Sequence, residues 1–214
     1  MRSPRHLVVF LRAPRLGRVK SRLAAGIGAV AALRFYRKAS TGLLRRLSRD
    51  RRWICYLAVT PDRALAGPRP WRVDARYRGQ GQGDLGQRMA RVFRTLPAGP
   101  AVIIGSDIPD IAPAHIADAF RALGRHDAVL GPARDGGYWL VGLRRSPRVP
   151  RGLFKRVRWS SEHALADTLA GLPRNFAVAR LATLDDIDDA ASFARWRAAL
   201  TRSRPASGAP EAAA

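Results

Sequence analysis

The sequence predicts an α/β fold with a largely parallel sheet, and three observations lead there. Short apolar runs alternate along the chain with segments whose apolar residues recur at helical spacing. Most of those runs lack the alternating polarity of a half-exposed strand, which suits a sheet covered on both faces. Caps and turn residues separate the two kinds of segment.

Taken in order, "HLVVFL" (His6 to Leu11) is a short apolar strand, and a Gly/Pro/basic loop follows it. Ala29 to Leu47 reads as a helix on Leu33, Tyr36, Leu43, Leu44 and Leu47. "WICYLAV" (Trp53 to Val59) is a second buried strand, ended by Pro61, and "WRVDARY" (Trp71 to Tyr77) alternates like an edge strand. Asp84 and Gln87 make a capping-box pattern for a helix with an apolar stripe of Leu85, Met89, Val92, Phe93 and Leu96. "AVIIG" (Ala101 to Gly105) is a third buried strand. Pro113 suits the first turn of a helix running to Gly124, with Ile116, Phe120 and Leu123 inward. "DAVLG" (Asp127 to Gly131) and "YWLVGL" (Tyr138 to Leu143) form a hairpin-like pair. Ser161 is placed to cap a helix burying Leu165, Thr168, Leu169 and Leu172. "FAVARL" (Phe176 to Leu181) is a late strand, and a final helix carries Phe193, Trp196 and Leu200. Residues 1–202 are expected to make one domain, and the low-complexity stretch 203–214 a disordered tail.

Of 39 basic residues only Lys20, Lys38 and Lys155 are lysines, and the formal charge is +23. The arginines are spread over the whole length, with no basic run interleaved with aromatics and no zinc or basic-helix motif. Nucleic acid is therefore not expected as the main partner, whereas phosphorylated small molecules suit such a field. No apolar run approaches the roughly 20 residues of a membrane span. "LVVFL" after the charged start is too short for a signal peptide, so a cytoplasmic protein is expected. The single cysteine, Cys55, excludes an internal disulfide and reads as a core residue.

In open α/β sheets ligands sit beyond the carboxyl ends of the strands, and three loops stand out there. The first, "RAPRLGRVKSRLA", starts at Arg12; Gly17 allows a tight turn, and Lys20 and Arg22 lie two apart, either both reaching one phosphate or forming an ordinary basic loop. The second, "GSDIPD", ends a buried strand in carboxylates. Mg²⁺ or Mn²⁺ takes oxygen ligands, and one or two carboxylates plus substrate phosphates suffice. Asp107 is best placed as a ligand, while Asp110 would bind metal, bind substrate or cap the helix at Pro113. The third, "GPARDGGYWLVGL", has Gly136 and Gly137 after Asp135, as in a turn or where backbone approaches a ligand. A fourth cluster, "LDDIDDA" (Leu184 to Ala190), packs aspartates ahead of the last helix. Capping explains one or two, and metal contacts would explain Asp186 or Asp188. "GQGDLG" (Gly81 to Gly86) matches the dinucleotide pattern, which would make this an NAD-binding protein. "WRVDARY" is too polar for the buried first strand that pattern follows, so that reading ranks low.

"FLRAPRLGRVKSRLA", "QGDLGQRM", "IIGSDIPDIAP", "LGPARDGGYWLVGL" and "VRWSSEHAL" occur in this order across roughly residues 6–200. In this the chain resembles a bacterial family of GT-A-type, nucleotide-diphospho-sugar transferase-like proteins (DUF2064, including arsenosugar-type glycosyltransferases). That family is related to the guanylyltransferases of molybdenum-cofactor and deazaflavin-cofactor synthesis. The resemblance implies a GT-A, Rossmann-like nucleotide-binding fold and a divalent metal at the strand end. Lys20 and Arg22 match the family's basic pair, Gln82, Asp84 and Arg88 its nucleotide-bordering segment and Asp107 its metal position. With Arg12 and Gly17 added as nucleotide-binding and Asp188 completing the metal shell, these are the expected donor-side residues. Asp110, Gly136, Gly137 and Tyr138 fall on the acceptor side, with Lys20, Asp107 and Asp135 as the catalytic set. Departures are Ser21 for the usual Thr, Leu16 for a Pro, Ile108 for a Cys, and "DIDDAASF" where the family has D-x-D-T-P-E-D.

The expected activity is Mg²⁺- or Mn²⁺-dependent glycosyl transfer from a nucleotide-diphospho-sugar to a small acceptor. The alternatives are nucleotidyl transfer from a nucleoside triphosphate with release of pyrophosphate, and a non-catalytic nucleotide- or nucleic-acid-binding module. A homodimer is compatible with each.

Overall fold

The computed structural model describes residues 3–145 and 149–202. The stretch 203–214, expected to be a disordered tail, lies outside the described residues. The first strand, β1 (His6–Arg12), shows how the core is built. Leu7, Val9 and Leu11 enter one apolar cluster and Val8 enters another, so the period of two feeds both faces of a buried sheet.

Around β1 lie β2 (Ile54–Thr60), β3 (Arg76–Gly79), β4 (Ala101–Ile104), β5 (Ala128–Pro132), β6 (Tyr138–Leu143) and β7 (Val178–Arg180). Their order is β3-β2-β1-β4-β6-β5-β7. β1 to β4 are mutually parallel, β6 is antiparallel to both β4 and β5, and β7 is parallel to β5. The chain moves outward from β1 through β2 to β3, then returns to place β4 on the other flank of β1. That reversal opens a crevice at the carboxyl ends of β1 and β4.

Helices cover both faces. α2 (Ala29–Ser48) brings Tyr36, Leu43, Leu44 and Leu47, and α4 (Pro113–Ala122) brings Ile116 and Phe120, onto one side. α3 (Leu85–Thr95) packs Met89, Val92 and Phe93 on the other, with Leu153 and Phe154. α5 (Ala164–Ala170) adds Ala164 to that side. A small third cluster joins Leu23 of α1 (Ser21–Ile27) to Phe35 and Ile187, with Phe193 and Trp196 of α6 (Ala190–Arg202) against it. Among the described residues no helix is long and apolar enough to cross a membrane.

The structure corrects several sequence-based expectations. The edge strand starts at Arg76 rather than Trp71, because Trp71 is buried and its indole donates to Ser40 Oγ (3.0 Å). The alternation in "WRVDARY" thus records a loop wrapped on α2. The basic loop after β1 ends early: α1 begins at Ser21, so Arg22 sits in a first helical turn. Leu85 and Leu200, read as inward, are exposed. α5 begins after His163 rather than at a Ser161 cap.

Candidate active site

The β1 end is fixed from within. Tyr36 donates its hydroxyl to the Arg12 carbonyl (2.8 Å) and accepts from the Arg12 amide (3.0 Å). Burial above all pushes that phenol up to about 12, so it remains a neutral strut. Gln80 is buried and donates to the carbonyls of Leu11 (3.1 Å) and Ala58 (2.8 Å), tying β1 to β2. The loop after β4 is pinned by Arg46, which donates to the carbonyls of Pro109 and Ile111.

From this frame three segments meet at one point. Lys20, in a left-handed conformation (φ 51°) just before α1, sends its ammonium to Asp107 Oδ1 and Asp188 Oδ1, each at 2.7 Å. The same Nζ donates to the Ile187 carbonyl at 2.7 Å. The Ile187 amide donates to the Asp107 carbonyl (3.1 Å), which locks the acidic segment beside β4. Lys20 is 5% exposed along its side chain, against 48% for Asp107 and 43% for Asp188. Burial disfavours the charged lysine, yet Asp107 and Asp188 outweigh it and hold the ammonium above its ordinary range. Burial likewise opposes the charge on Asp188, and Lys20 overcomes it, so Asp188 lies below the usual carboxylate range.

The acidic segment divides its labour. Asp185 pairs with Arg134, and Asp189 accepts from the Ser192 amide (2.7 Å) at the start of α6. Asp186 and Asp188 are left facing the cleft, sharing a hydrogen bond. Asp186 is pushed up to about 6, first by burial and then by the charges of Asp188 and Asp135.

The cleft at these strand ends has a volume of about 780 Å³. Its walls carry Asp107, Asp135, Glu162, Asp186 and Asp188 against Arg12, Arg18, Lys20, Arg22 and Arg88. Acids and bases are thus equal here in a chain with 39 bases and 16 acids, so carboxylates are concentrated at this spot. Asp135 keeps one oxygen on the Gly137 amide (2.9 Å). Gly136 has φ +81°, and a Cβ on it would lie 2.2 Å from the Glu162 carbonyl; only glycine lets that backbone pass. Tyr138 walls the cleft with its ring, while its hydroxyl accepts from Thr168 Oγ1 (3.3 Å), and burial raises its pKa.

Of the residues expected at the site, Arg12, Lys20, Arg22, Arg88, Asp107, Asp135, Gly137, Tyr138, Asp186 and Asp188 line this cleft. Gly17, Gln82, Asp84, Asp110 and Gly136 do not. Asp84 is the cap of α3, accepting from the Gln87 amide (2.7 Å). Asp110 does not cap α4, whose first turn is closed by His115 Nδ1 accepting from the Ala112 amide (3.1 Å). Instead it accepts from the Trp196 indole (3.3 Å). Arg18, Gln80, Trp159 and Glu162 were not foreseen as cleft residues. "VRWSSEHAL" had marked the segment of the last two without giving them a role. The dinucleotide pattern Gly81–Gly86 follows β3, the outermost strand, rather than a central one.

Among the described residues no three His, Cys, Asp or Glu side chains come together as a metal-binding group. Two carboxylate oxygens and a carbonyl do converge on one cation, the Lys20 ammonium. An all-oxygen donor set of that kind fits Mg²⁺ or Mn²⁺, whose remaining positions substrate phosphates and water fill.

A profile of the family DUF2064, described as "Uncharacterized protein conserved in bacteria", matches residues 43–161. Comparison with curated proteins returns no match. Among solved structures, the chain is similar to a protein provisionally described as a nucleotide-diphospho-sugar transferase from Desulfovibrio desulfuricans. The identity is 28% and the TM-score 0.76, over 86% of this chain and 82% of that one. It also shares its fold with 4-diphosphocytidyl-2C-methyl-D-erythritol synthase from Anaerococcus prevotii (13% identity, TM-score 0.57, 92% and 99% covered). A third is 2-C-methyl-D-erythritol 4-phosphate cytidylyltransferase from Thermus thermophilus (13%, 0.50, 94% and 100%).

Proposed function

The chain belongs to the DUF2064 family, and we propose that it transfers a glycosyl group from a nucleotide-diphospho-sugar to a small acceptor, with Mg²⁺ or Mn²⁺ as cofactor. The observation that carries this is the meeting of Lys20, Asp107 and Asp188 at the reversal point of the sheet. The likeness to the Desulfovibrio protein supports the donor class.

Asp107, Asp188 and the Ile187 carbonyl are the groups that would hold the cation. A bound divalent ion neutralises a diphosphate and stabilises the departing oxygen. The Lys20 ammonium now holds these oxygens and would yield that place to the ion. Released from them, Lys20 would offset charge developing on the phosphate oxygens, while Arg12, Arg22 and Arg88 hold the diphosphate. Asp135 accepts the acceptor's hydroxyl proton through the oxygen not bound to Gly137. The acceptor oxygen then forms its bond to the sugar's anomeric carbon as the carbon–oxygen bond to the diphosphate breaks. Trp159 and Tyr138, in edge contact with 6.4 Å between ring centroids, offer an apolar wall for a sugar face.

A panel of nucleoside diphosphate-sugars and nucleoside triphosphates, each with and without Mn²⁺, tests this by thermal shift and by product analysis. Metal-dependent stabilisation by a diphospho-sugar, with release of a nucleoside diphosphate, is expected. Stabilisation by a triphosphate with release of pyrophosphate would replace glycosyl by nucleotidyl transfer. Stabilisation by NAD alone would overturn both.

A further inference from the structure

Beside the cleft, at the ends of β1 and β2, lies a second recess of about 360 Å³, within the roughly 300–1,000 Å³ range of small-ligand sites. Five arginines wall it, Arg12, Arg15, Arg18, Arg63 and Arg88, together with Thr60, and no carboxylate does. Among the described residues most arginines form no ion pair, so what marks this recess is that five of them share one cavity whose lining holds no carboxylate. Arg52, Arg121, Arg134, Arg144 and Arg158 all form ion pairs, whereas none of these five does among the described residues.

The local backbone brings them together. Arg12 ends β1. The coil behind it closes on itself through Arg15 N to Ala13 O (2.8 Å) and Arg18 N to Arg15 O (3.1 Å), which returns Arg15 and Arg18 beside Arg12. Arg63 enters from the short 3₁₀ turn Asp62–Leu65, and Arg88 from α3. The acid next to Arg63 is withheld: both oxygens of Asp62 accept from the Gly81 amide at 3.1 Å. Arg88 Nε is buried and has no hydrogen-bond partner. Unpaired guanidinium groups held around one cavity repel one another, and a multiply charged anion is the partner that offsets this.

We propose that this recess is a second anion site that takes a phosphoryl group other than the donor's diphosphate. Arg12, Arg18, Thr60 and Arg88 line both cavities, so the two ligands would lie side by side. The phosphoryl group comes from one of two sources, a phosphorylated acceptor or the terminal phosphate of a nucleoside triphosphate. The site itself stands on the recess alone; only the choice between sources rests on the transferase reading.

The test titrates inorganic phosphate into the full chain by calorimetry at fixed ionic strength. Three proteins are compared: wild type, Arg15→Gln/Arg63→Gln, and a control of equal charge, Arg94→Gln/Arg125→Gln. All four of these arginines are exposed, so the variants are expected to fold, and thermal midpoints check it. Wild type and control should bind phosphate alike, with affinity lowered at least tenfold in Arg15→Gln/Arg63→Gln. Equal binding by all three proteins, equal loss in both variants, or no binding by wild type would overturn the proposal. Two further titrations separate the sources. A tenfold loss for a nucleoside triphosphate, with diphospho-sugar binding kept, assigns the site to the nucleotide. A loss for a simple phosphomonoester, with both nucleotides kept, assigns it to the acceptor. Diphospho-sugar binding that fails in wild type as well would count against the transferase reading and leave the phosphate result standing.

Discussion

Replacing Lys20 with methionine removes a cation while keeping most of the buried stem. At 2.7 Å and an effective dielectric near 20, each of its two carboxylate contacts amounts to about 6 kcal/mol of gross attraction. Desolvation of the buried ammonium cancels most of that. Breaking a fully buried pair from one side costs about 3–5 kcal/mol. Asp107 and Asp188 are nearly half exposed, so solvent takes up part of the loss, and about 2 kcal/mol is expected. In a chain of this size that lowers the melting temperature by about 4–8 °C. The pH dependence has two edges. Lys20 is raised in the folded state, so its contribution is complete below the unfolded lysine pKa and fades as pH rises through the folded one. Asp188 is lowered, so its contribution is present above the ordinary aspartate pKa and fades as pH falls through the folded one. Lys20 also lowers Asp186, which titrates at about 6, so the gap between Lys20→Met and wild type should be flat only between about pH 8 and pH 10. Urea unfolding at pH 7, with and without millimolar Mn²⁺, measures it, and Mn²⁺ should raise the variant's stability more than wild type's. An unfolding midpoint equal to wild type would refute the electrostatic reasoning.

Asp186→Asn should be as stable as wild type near pH 4 and about 1 kcal/mol more stable above pH 6, after discounting for solvent at this half-exposed group. The sign follows from a carboxyl raised on folding, which makes wild type lose stability as pH climbs from about 4 to about 6; denaturant midpoints across that range check it. Asp84→Ala should cost about 1 kcal/mol through loss of the α3 cap and leave nucleotide affinity unchanged, read by unfolding and calorimetry on one preparation.

Where a sequence signal had one physical cause, it was legible. The runs giving β1, β2 and β4 are apolar because both faces are buried, and the Asp84/Gln87 pattern is the capping box it resembles. Asp107, Lys20 and Asp188 were each visible as odd residues in a basic, arginine-rich chain. Their meeting was expected only through the family resemblance and not from spacing, since it depends on the Ile187–Asp107 backbone bond across a long sequence separation. α1 was hidden by its shortness and by Gly26, where a Cβ would lie 2.5 Å from Ala190 Cβ of α6. Asp110 misled because an aspartate ahead of a proline suits a cap, and only the fold brings Trp196 to it. The arginine recess could not be read from spacing, because Arg63 and Arg88 reach it from separate elements.

The most direct test of the central claim is calorimetric titration of a nucleoside diphosphate-sugar into wild type and Asp107→Asn, with Mn²⁺ and with chelator. The account predicts that Mn²⁺ strengthens binding to wild type at least tenfold, about 1.4 kcal/mol, and that Asp107→Asn abolishes this gain. A gain from Mn²⁺ that survives in Asp107→Asn, or that wild type never shows, would contradict it.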